Sequence, residues 1–329
     1  MKEWGLLMRK YNLPIFIPHR GCPHDCIFCN QRKITGVETE VTPQRVREMI
    51  SEFLRSINEK NASVEVAFFG GSFTGLELGL QEEFLSVAAE FFPKIDGIRL
   101  STRPDYINSD ILELLNKYNV TTIELGVQST NDNVLSLNNR GHSFDDVKSA
   151  SKQIRDANIA LGHQIMLGMY GSNPDIDSKT VDDILKLNPS CVRIYPVVTL
   201  KGTYLEKLYN QGEYVPYTVE TAAMLAKDAV VKFRKNGVDV IRIGLHSSDE
   251  LESGESVVAG PYHAAFGEIT ESLIFRDIIE GKIKKDKIKD GDFVFSCAKK
   301  DVSKAVGHKK MNKTYFMDKY GIKLKILSI

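Results

Sequence analysis

Pro18-His19-Arg20-Gly21-Cys22-Pro23-His24-Asp25-Cys26-Ile27-Phe28-Cys29-Asn30 follows directly on the apolar run Pro14-Ile15-Phe16-Ile17-Pro18. Three thiols thus stand at C-x3-C-x2-C spacing on one short loop at the end of a predicted strand. Three thiolates so placed can each hold one iron of a cubane cluster, the usual mode of iron–sulfur ligation. The fourth iron is then left without a protein ligand, open to chelation by a bound molecule. Zinc is the alternative. A structural zinc takes four closed ligands, commonly from C-x2–4-C pairs. His19 or His24 would have to be the fourth, and neither forms the second half of such a pair. Cys191 and Cys297 have no Cys or His at ligand spacing.

Outward from this loop, short β-rich runs alternate with longer amphipathic segments. Strand-like runs at 64–69, 97–101, 121–127, 159–167, 191–196 and 238–243 are rich in β-branched and aromatic residues and bounded by Gly, Pro, Asn or Asp. Helical patterns fall at 43–60, 80–92, 109–118, 144–158, 178–187 and 219–235. Thr42-Pro43 places a capping hydroxyl before a proline at the first helical position. Asn108 and Ser143 cap the helices after them, and Gly237 stands where a left-handed C-terminal cap is expected. Such alternation, with near-continuous apolar strands, predicts an α/β fold with a parallel sheet covered by helices. Open doubly wound sheets and full or partial barrels fit it equally.

Among the 329 residues, 42% are hydrophobic and 26% charged, which excludes a disordered chain. Formal net charge is zero, but 276–329 holds 15 Lys or Arg against 7 Asp or Glu, a net of +8. That Lys-rich end is read as an extension packed on a core of residues 1–275, either as a solvated surface or as a patch for a polyanion such as RNA. No apolar stretch approaches the ~20 residues that span a bilayer, and the first residues lack a signal-peptide pattern. A cytoplasmic, non-membrane protein with reduced thiols is expected.

With Phe28 just before the third cysteine, the loop resembles that of the radical S-adenosylmethionine (SAM) superfamily. The resemblance implies a partial (β/α)6 TIM-type barrel with a short C-terminal extension. It also implies a 4Fe–4S cluster on Cys22, Cys26 and Cys29 whose open iron chelates SAM, and reductive cleavage of SAM to methionine and a 5′-deoxyadenosyl radical. An electron donor such as a flavodoxin or ferredoxin is implied as a partner. Phe69-Gly70-Gly71-Ser72-Phe73, closing the second strand, resembles the turn that meets the SAM amino group, so Gly70, Gly71 and Ser72 are cofactor candidates.

Ser101-Thr102-Arg103-Pro104-Asp105-Tyr106, Glu124-Leu125-Gly126-Val127-Gln128-Ser129, Asn139-Arg140-Gly141-His142, Val192-Arg193-Ile194-Tyr195-Pro196 and Arg242-Ile243-Gly244-Leu245 look most like the radical SAM part of the Elongator catalytic subunit. The likeness covers about residues 13–270. By position, Gln128 and Arg140 resemble SAM-contacting residues of the wider group, which includes oxygen-independent coproporphyrinogen oxidase. Where that oxidase has acidic residues on its third and fifth strands, this chain has Thr102 and Gln164, and the change of charge weakens a porphyrin assignment. Phe28 is expected to pack near the adenine. His163, Tyr170 and Tyr195 lie near predicted strand ends, and His263 sits in a Gly-Pro turn.

The Elongator subunit also carries an acetyltransferase domain. The residues beyond the likeness are too few for one, so acetyl transfer is not expected of this chain alone. The expected function is radical SAM chemistry on tRNA or another RNA. A small metabolite or tetrapyrrole is the alternative substrate, and a non-catalytic cluster- or metal-binding module is the alternative of another class.

Overall fold

In a computed structural model, residues 9–17, 26–30, 41–57, 62–246 and 249–329 are described. Seven strands form the principal sheet of that part: β1 (Arg9–Ile17), β2 (Ala62–Gly70), β3 (Gly97–Thr102), β4 (Val120–Gln128), β5 (Ala160–Leu167), β6 (Cys191–Pro196) and, after the short β7 (Thr199–Leu200), β8 (Asp239–Ile243). They lie side by side in chain order with every neighbouring pair parallel. Parallel crossovers are right-handed, so strands added always on the same side put every crossover helix on the same face. A doubly wound sheet would reverse strand order partway. The sheet therefore curls as a half-barrel, with β1 and β8 as its edges.

The strand pleat sorts side chains between the two faces. Ile15, Phe68, Leu100, Ile123, Leu161 and Ile194 share one core with Ile50, Phe84, Leu115, Ile154, Ile184 and Phe233 from the helices. Those helices are α1 (Pro43–Ser56), α2 (Leu78–Ala89), α3 (Ser109–Lys117), α5 (Phe144–Asp156), α6 (Pro174–Lys186) and α8 (Val219–Lys235), while α4 (Asp132–Leu137) and α7 (Tyr204–Asn210) bury Val134, Leu205 and Leu208 in a second cluster around Ile27. The concave face instead carries Glu65, Arg99, Glu124, Gln164 and Arg193, linked to one another.

Capping follows the sequence closely. Thr42 accepts from the Arg45 amide, Asn108 from the Ile111 amide, and Ser143 forms a capping box with Asp146. Gly237 takes φ +75°. α6 starts four residues before its apolar pattern, because Asn173 caps the Ile176 amide and Pro174 fits the first turn.

Beyond β8, a short strand β9 (Val257–Ala259) pairs antiparallel with β7, and a long helix α9 (Phe266–Lys285) leads to two parallel strands, β10 (Gly291–Cys297) and β11 (Ile322–Ser328). Phe293, Phe295, Cys297, Ile322 and Leu324 alternate inward and bury with Ile279 and Ile283 of α9 and with Phe316. Cys297 is thus a core thiol, while Lys323 and Lys325 point outward. Among the described residues, no helix is long and apolar enough to cross a membrane.

Candidate active site

Cys22 lies outside the described residues, as do His19 and His24. Cys26 is buried and Cys29 half-buried. The Cys29 amide donates to the Cys26 carbonyl at 2.9 Å, so Ile27 and Phe28 form a tight turn between the two thiols. Neighbouring backbone pins this turn. The Ile27 amide donates to the Asn138 carbonyl (3.3 Å), and the Ile27 carbonyl accepts from the Leu205 amide of α7 (2.8 Å). Asn30 Nδ2 donates to the Lys201 carbonyl at 3.3 Å. Ile27 buries among Val134, Met169, Val197, Leu205 and Tyr214, with Phe28 and Tyr170 at the margin.

Arg140 ties this loop to the end of β4. Its Nη1 reaches Cys26 Sγ at 3.3 Å and its Nη2 donates to the Gly126 carbonyl at 2.7 Å. Gly126 makes room for this, since a Cβ there would stand 3.0 Å from Gln128 Nε2 and 3.5 Å from Arg140 Nη2. Gln128 ends β4 at φ +69°, beside a register shift between Gly126 and Gln128. Arg103, from the end of β3, donates to the Arg140 carbonyl and pairs with Asp105. His142 completes the group. Burial, then the charges of Arg140 and Arg103, push it down to about 4, so it is neutral at pH 7.

Among the described residues, four buried polar atoms in this group have no hydrogen-bond partner: Arg103 Nη1, Gln128 Oε1, Arg140 Nε and His142 Nδ1. Buried polar groups are normally paired. Two unpaired donors and two acceptors, the second being Nδ1 of a neutral His142 whose Nε2 donates to the Val127 carbonyl, suit a polar ligand carrying an anionic group and an amine or hydroxyl. The donor set therefore fits thiolate-held iron–sulfur together with an amino-acid-bearing cofactor.

On the other side of the mouth, Gly70 takes φ +100°, and a Cβ there would lie 2.7 Å from the Ile17 carbonyl. The adjacent Gly71 amide donates to that carbonyl at 3.1 Å. Gly70 is thus required by the close approach of β1 as well as available to a ligand. A small recess opens here, lined by Ile17, Phe68, Phe69, Gly70, Gly71, Ser72, Phe73 and Ser101. Beneath it the Ser72, Thr74 and Thr102 hydroxyls bond to one another at 2.8 and 2.5 Å. Ser72 also accepts from the Arg103 amide. The Thr102 hydroxyl is engaged in holding this turn.

Gln164 lies on the concave face, where its Nε2 donates to Ser101 Oγ and to Glu124, both at 3.0 Å. Glu124, 1% exposed, also takes Arg193 Nε at 2.5 Å and Arg99 at 2.9 Å. Arg193 reaches across to lie 4.9 Å from the Phe69 ring centre. Together they make a polar floor beneath the mouth.

His163 points the other way, toward α5, with Nε2 2.9 Å from Ser151 Oγ. Burial pushes it down to about 3. His263 stands edge-on to His308, with ring centres 5.1 Å apart, and Tyr170 packs edge-on to Tyr214. The structure thus brings Cys26, Cys29, Gln128 and Arg140 together, with Gly70, Gly71, Ser72 and Thr102 at the adjoining strand ends. Arg103, Gly126 and Thr74 are additions that sequence reasoning left unassigned. Their signal was position alone: Arg103 and Gly126 lie within two residues of a strand end, and Thr74 lies in the turn four residues after β2.

The radical SAM superfamily profile matches residues 16–184, and the radical SAM C-terminal domain profile matches 189–274. A tRNA uridine(34) acetyltransferase of Methanocaldococcus infernus is 28% identical over 246 residues, covering 61% of this chain and 45% of that protein. Among solved structures, Methanocaldococcus infernus Elp3 with an N-terminal deletion superposes with a TM-score of 0.63 at 21% identity, over 86% of this chain and 64% of that one. Coproporphyrinogen III oxidase of Escherichia coli gives 0.51 at 17% identity, over 70% and 54%. These two likenesses concern the fold. The chain spans about half the length of the curated relatives it matches.

Proposed function

Because the chain belongs to the radical SAM superfamily, a family of enzymes, we propose that it cleaves SAM reductively to modify tRNA or another RNA. Cys22, Cys26 and Cys29 are the residues that would hold the 4Fe–4S cluster. Gly70, Gly71, Ser72, Gln128 and Arg140 would hold SAM, with Phe28, Thr102 and Gln164 around them. When bound, such a cluster would supply the electron for reductive cleavage of SAM to methionine and a 5′-deoxyadenosyl radical. The protein's own residues do the rest. Arg140 fixes the Cys26 thiol against β4, Gln128 and Arg103 offer hydrogen bonds, and the floor of Glu124, Gln164 and Arg193 closes the barrel below. The electron comes from a flavodoxin or ferredoxin, and the setting is a reducing cytoplasm.

One observation carries this reading: the Arg140 guanidinium joins a cluster-loop cysteine to a strand end where Gln128 Oε1 lies buried and unpaired. RNA is favoured as substrate by the tRNA-uridine activity named for the relative and by the basic 276–329 segment, read as an extension on the core. A tetrapyrrole is favoured only by the fold likeness to the coproporphyrinogen oxidase.

The full chain, reconstituted anaerobically and given dithionite and SAM, is expected to release 5′-deoxyadenosine. Arg140→Ala should weaken SAM binding by about 1.5–3 kcal/mol, the range for a charge-assisted hydrogen bond. Unchanged SAM affinity removes Arg140 from the site. Binding of tRNA should fall steeply with salt, and no binding at low salt ends the RNA reading.

A further inference from the structure

Among the described residues of the concave face, Glu65, Arg99, Glu124 and Arg193 balance one another, and Arg242 stands apart from them. Glu65 and Glu124 each hold Arg99 at 2.9 Å, and Glu124 also holds Arg193 through two contacts. Two carboxylates thus offset two guanidiniums. Arg242 on β8 is in register with Arg193 on β6, so it leaves the sheet on the same face. Its neighbour Ile243 packs with the helix-side core.

Among the described residues, the Arg242 guanidinium is held by main chain. Nε donates to the Gly244 carbonyl at 3.2 Å and Nη2 to the Leu245 carbonyl at 2.8 Å. Gly244, at φ +86° and with its Cβ position 3.1 Å from Phe266, makes the turn that brings these carbonyls back. Among the described residues no carboxylate pairs with Arg242, and its Nη1 has no partner. Burial, reinforced by the charge of Arg193, lowers its pKa from the ordinary arginine value. Tyr195, two residues beyond Arg193 on β6, feels the charge of both guanidiniums. An oriented, partly desolvated cation at the C-terminal end of the last strand is placed where barrel enzymes bind substrate.

We propose that Arg242, on the same face of the sheet as Tyr195, receives an oxyanion of the substrate, a phosphate or a carboxylate. The assignment rests on the reading that the concave mouth is the substrate site. It names a feature of that substrate: a negative charge that meets the free edge of Arg242 as a charge-assisted hydrogen bond.

The test is titration of the anaerobically reconstituted full chain with inorganic phosphate and, separately, with acetate. Arg242→Gln should raise the Kd of the preferred anion by about tenfold or more, the loss of one charged hydrogen bond. Arg242→Lys should restore part of it, which a misfolded variant would not do. Lys323→Gln, on the exposed face of β11, should leave it unchanged, separating a site at Arg242 from diffuse attraction to lysines. Tighter binding of phosphate assigns a phosphate-bearing substrate, and tighter binding of acetate a carboxylate. If neither anion binds the parent protein, or both bind Arg242→Gln equally well, the proposal is overturned. A parent protein that fails to cleave SAM yet loses anion binding on Arg242→Gln refutes the radical reading and leaves the anion site standing.

Discussion

Cys26→Ala should abolish the iron–sulfur chromophore of the anaerobically reconstituted protein. A site built on three thiolates does not tolerate loss of one, and no other cysteine among the described residues stands ready to replace it. Cys191 is buried on the concave face beside Arg99, and Cys297 is buried in the C-terminal core. The substitution also removes the sulfur that Arg140 Nη1 meets at 3.3 Å. A buried guanidinium then keeps one fewer partner, which adds a local cost in stability. Bound iron should fall from about four per chain to near zero, with absorption near ~410 nm lost. Cys26→Ser, which keeps the shape, should retain the far-ultraviolet circular dichroism of the fold while losing the same absorption. A brown Cys26→Ala protein that still cleaves SAM would contradict the ligand assignment.

Glu124→Gln is the substitution expected to cost most in stability, about 3–5 kcal/mol, because it breaks a buried ion-pair network. Glu124 is 1% exposed and holds Arg193, Arg99 and Gln164 at once. Neutralising it leaves two largely buried guanidiniums with only Glu65 between them. Burial alone would raise the Glu124 pKa, but the Arg193 and Arg99 contacts outweigh it and hold the carboxyl below its ordinary value of 4.5. A depressed carboxylate pKa stabilises the fold at pH values above 4.5. That contribution disappears as pH falls below 4.5 through the lower folded value. Urea unfolding at pH 7 should show the loss, and the variant's stability should fall less than the parent's on acidification. Equal urea midpoints for parent and variant would mean that the floor contributes nothing net.

Much of this architecture is legible in the residues. Each predicted strand of the half-barrel is present, because β-branched runs such as Thr122-Ile123 and Val192-Arg193-Ile194 sit between Gly, Pro and Asn breaks. The caps at Thr42, Asn108 and Ser143 hold because a short polar side chain before a helix has one obvious amide to bond. The choice between an open sheet and a half-barrel rests on strand order, which local periodicity does not encode. Helix α9 escaped notice for a related reason. Its first half buries Phe266, Ile269 and Leu273 against the barrel, and its second half buries Ile279 and Ile283 against β10 and β11. One helix serving two cores has no single apolar stripe. The lysines of 276–329 likewise hid the alternation of Phe293, Phe295 and Cys297.

The site divides in the same way. The cysteine loop and the Gly70-Gly71 turn are local words and can be read as such. The link from Arg140 to Cys26 joins residues 114 positions apart, and the floor of Glu65, Arg99, Glu124 and Arg193 takes one residue from each of four strands. Within any one strand such a residue reads only as a polar interruption. Register alone shows that the four meet.

The most direct measurement is low-temperature electron paramagnetic resonance of the reduced, oxygen-free full chain, recorded before and after addition of SAM. The account predicts the signal of a reduced 4Fe–4S centre whose g values shift when SAM occupies the vacant corner. A protein with no such centre, or with one whose signal SAM leaves unmoved, would contradict it.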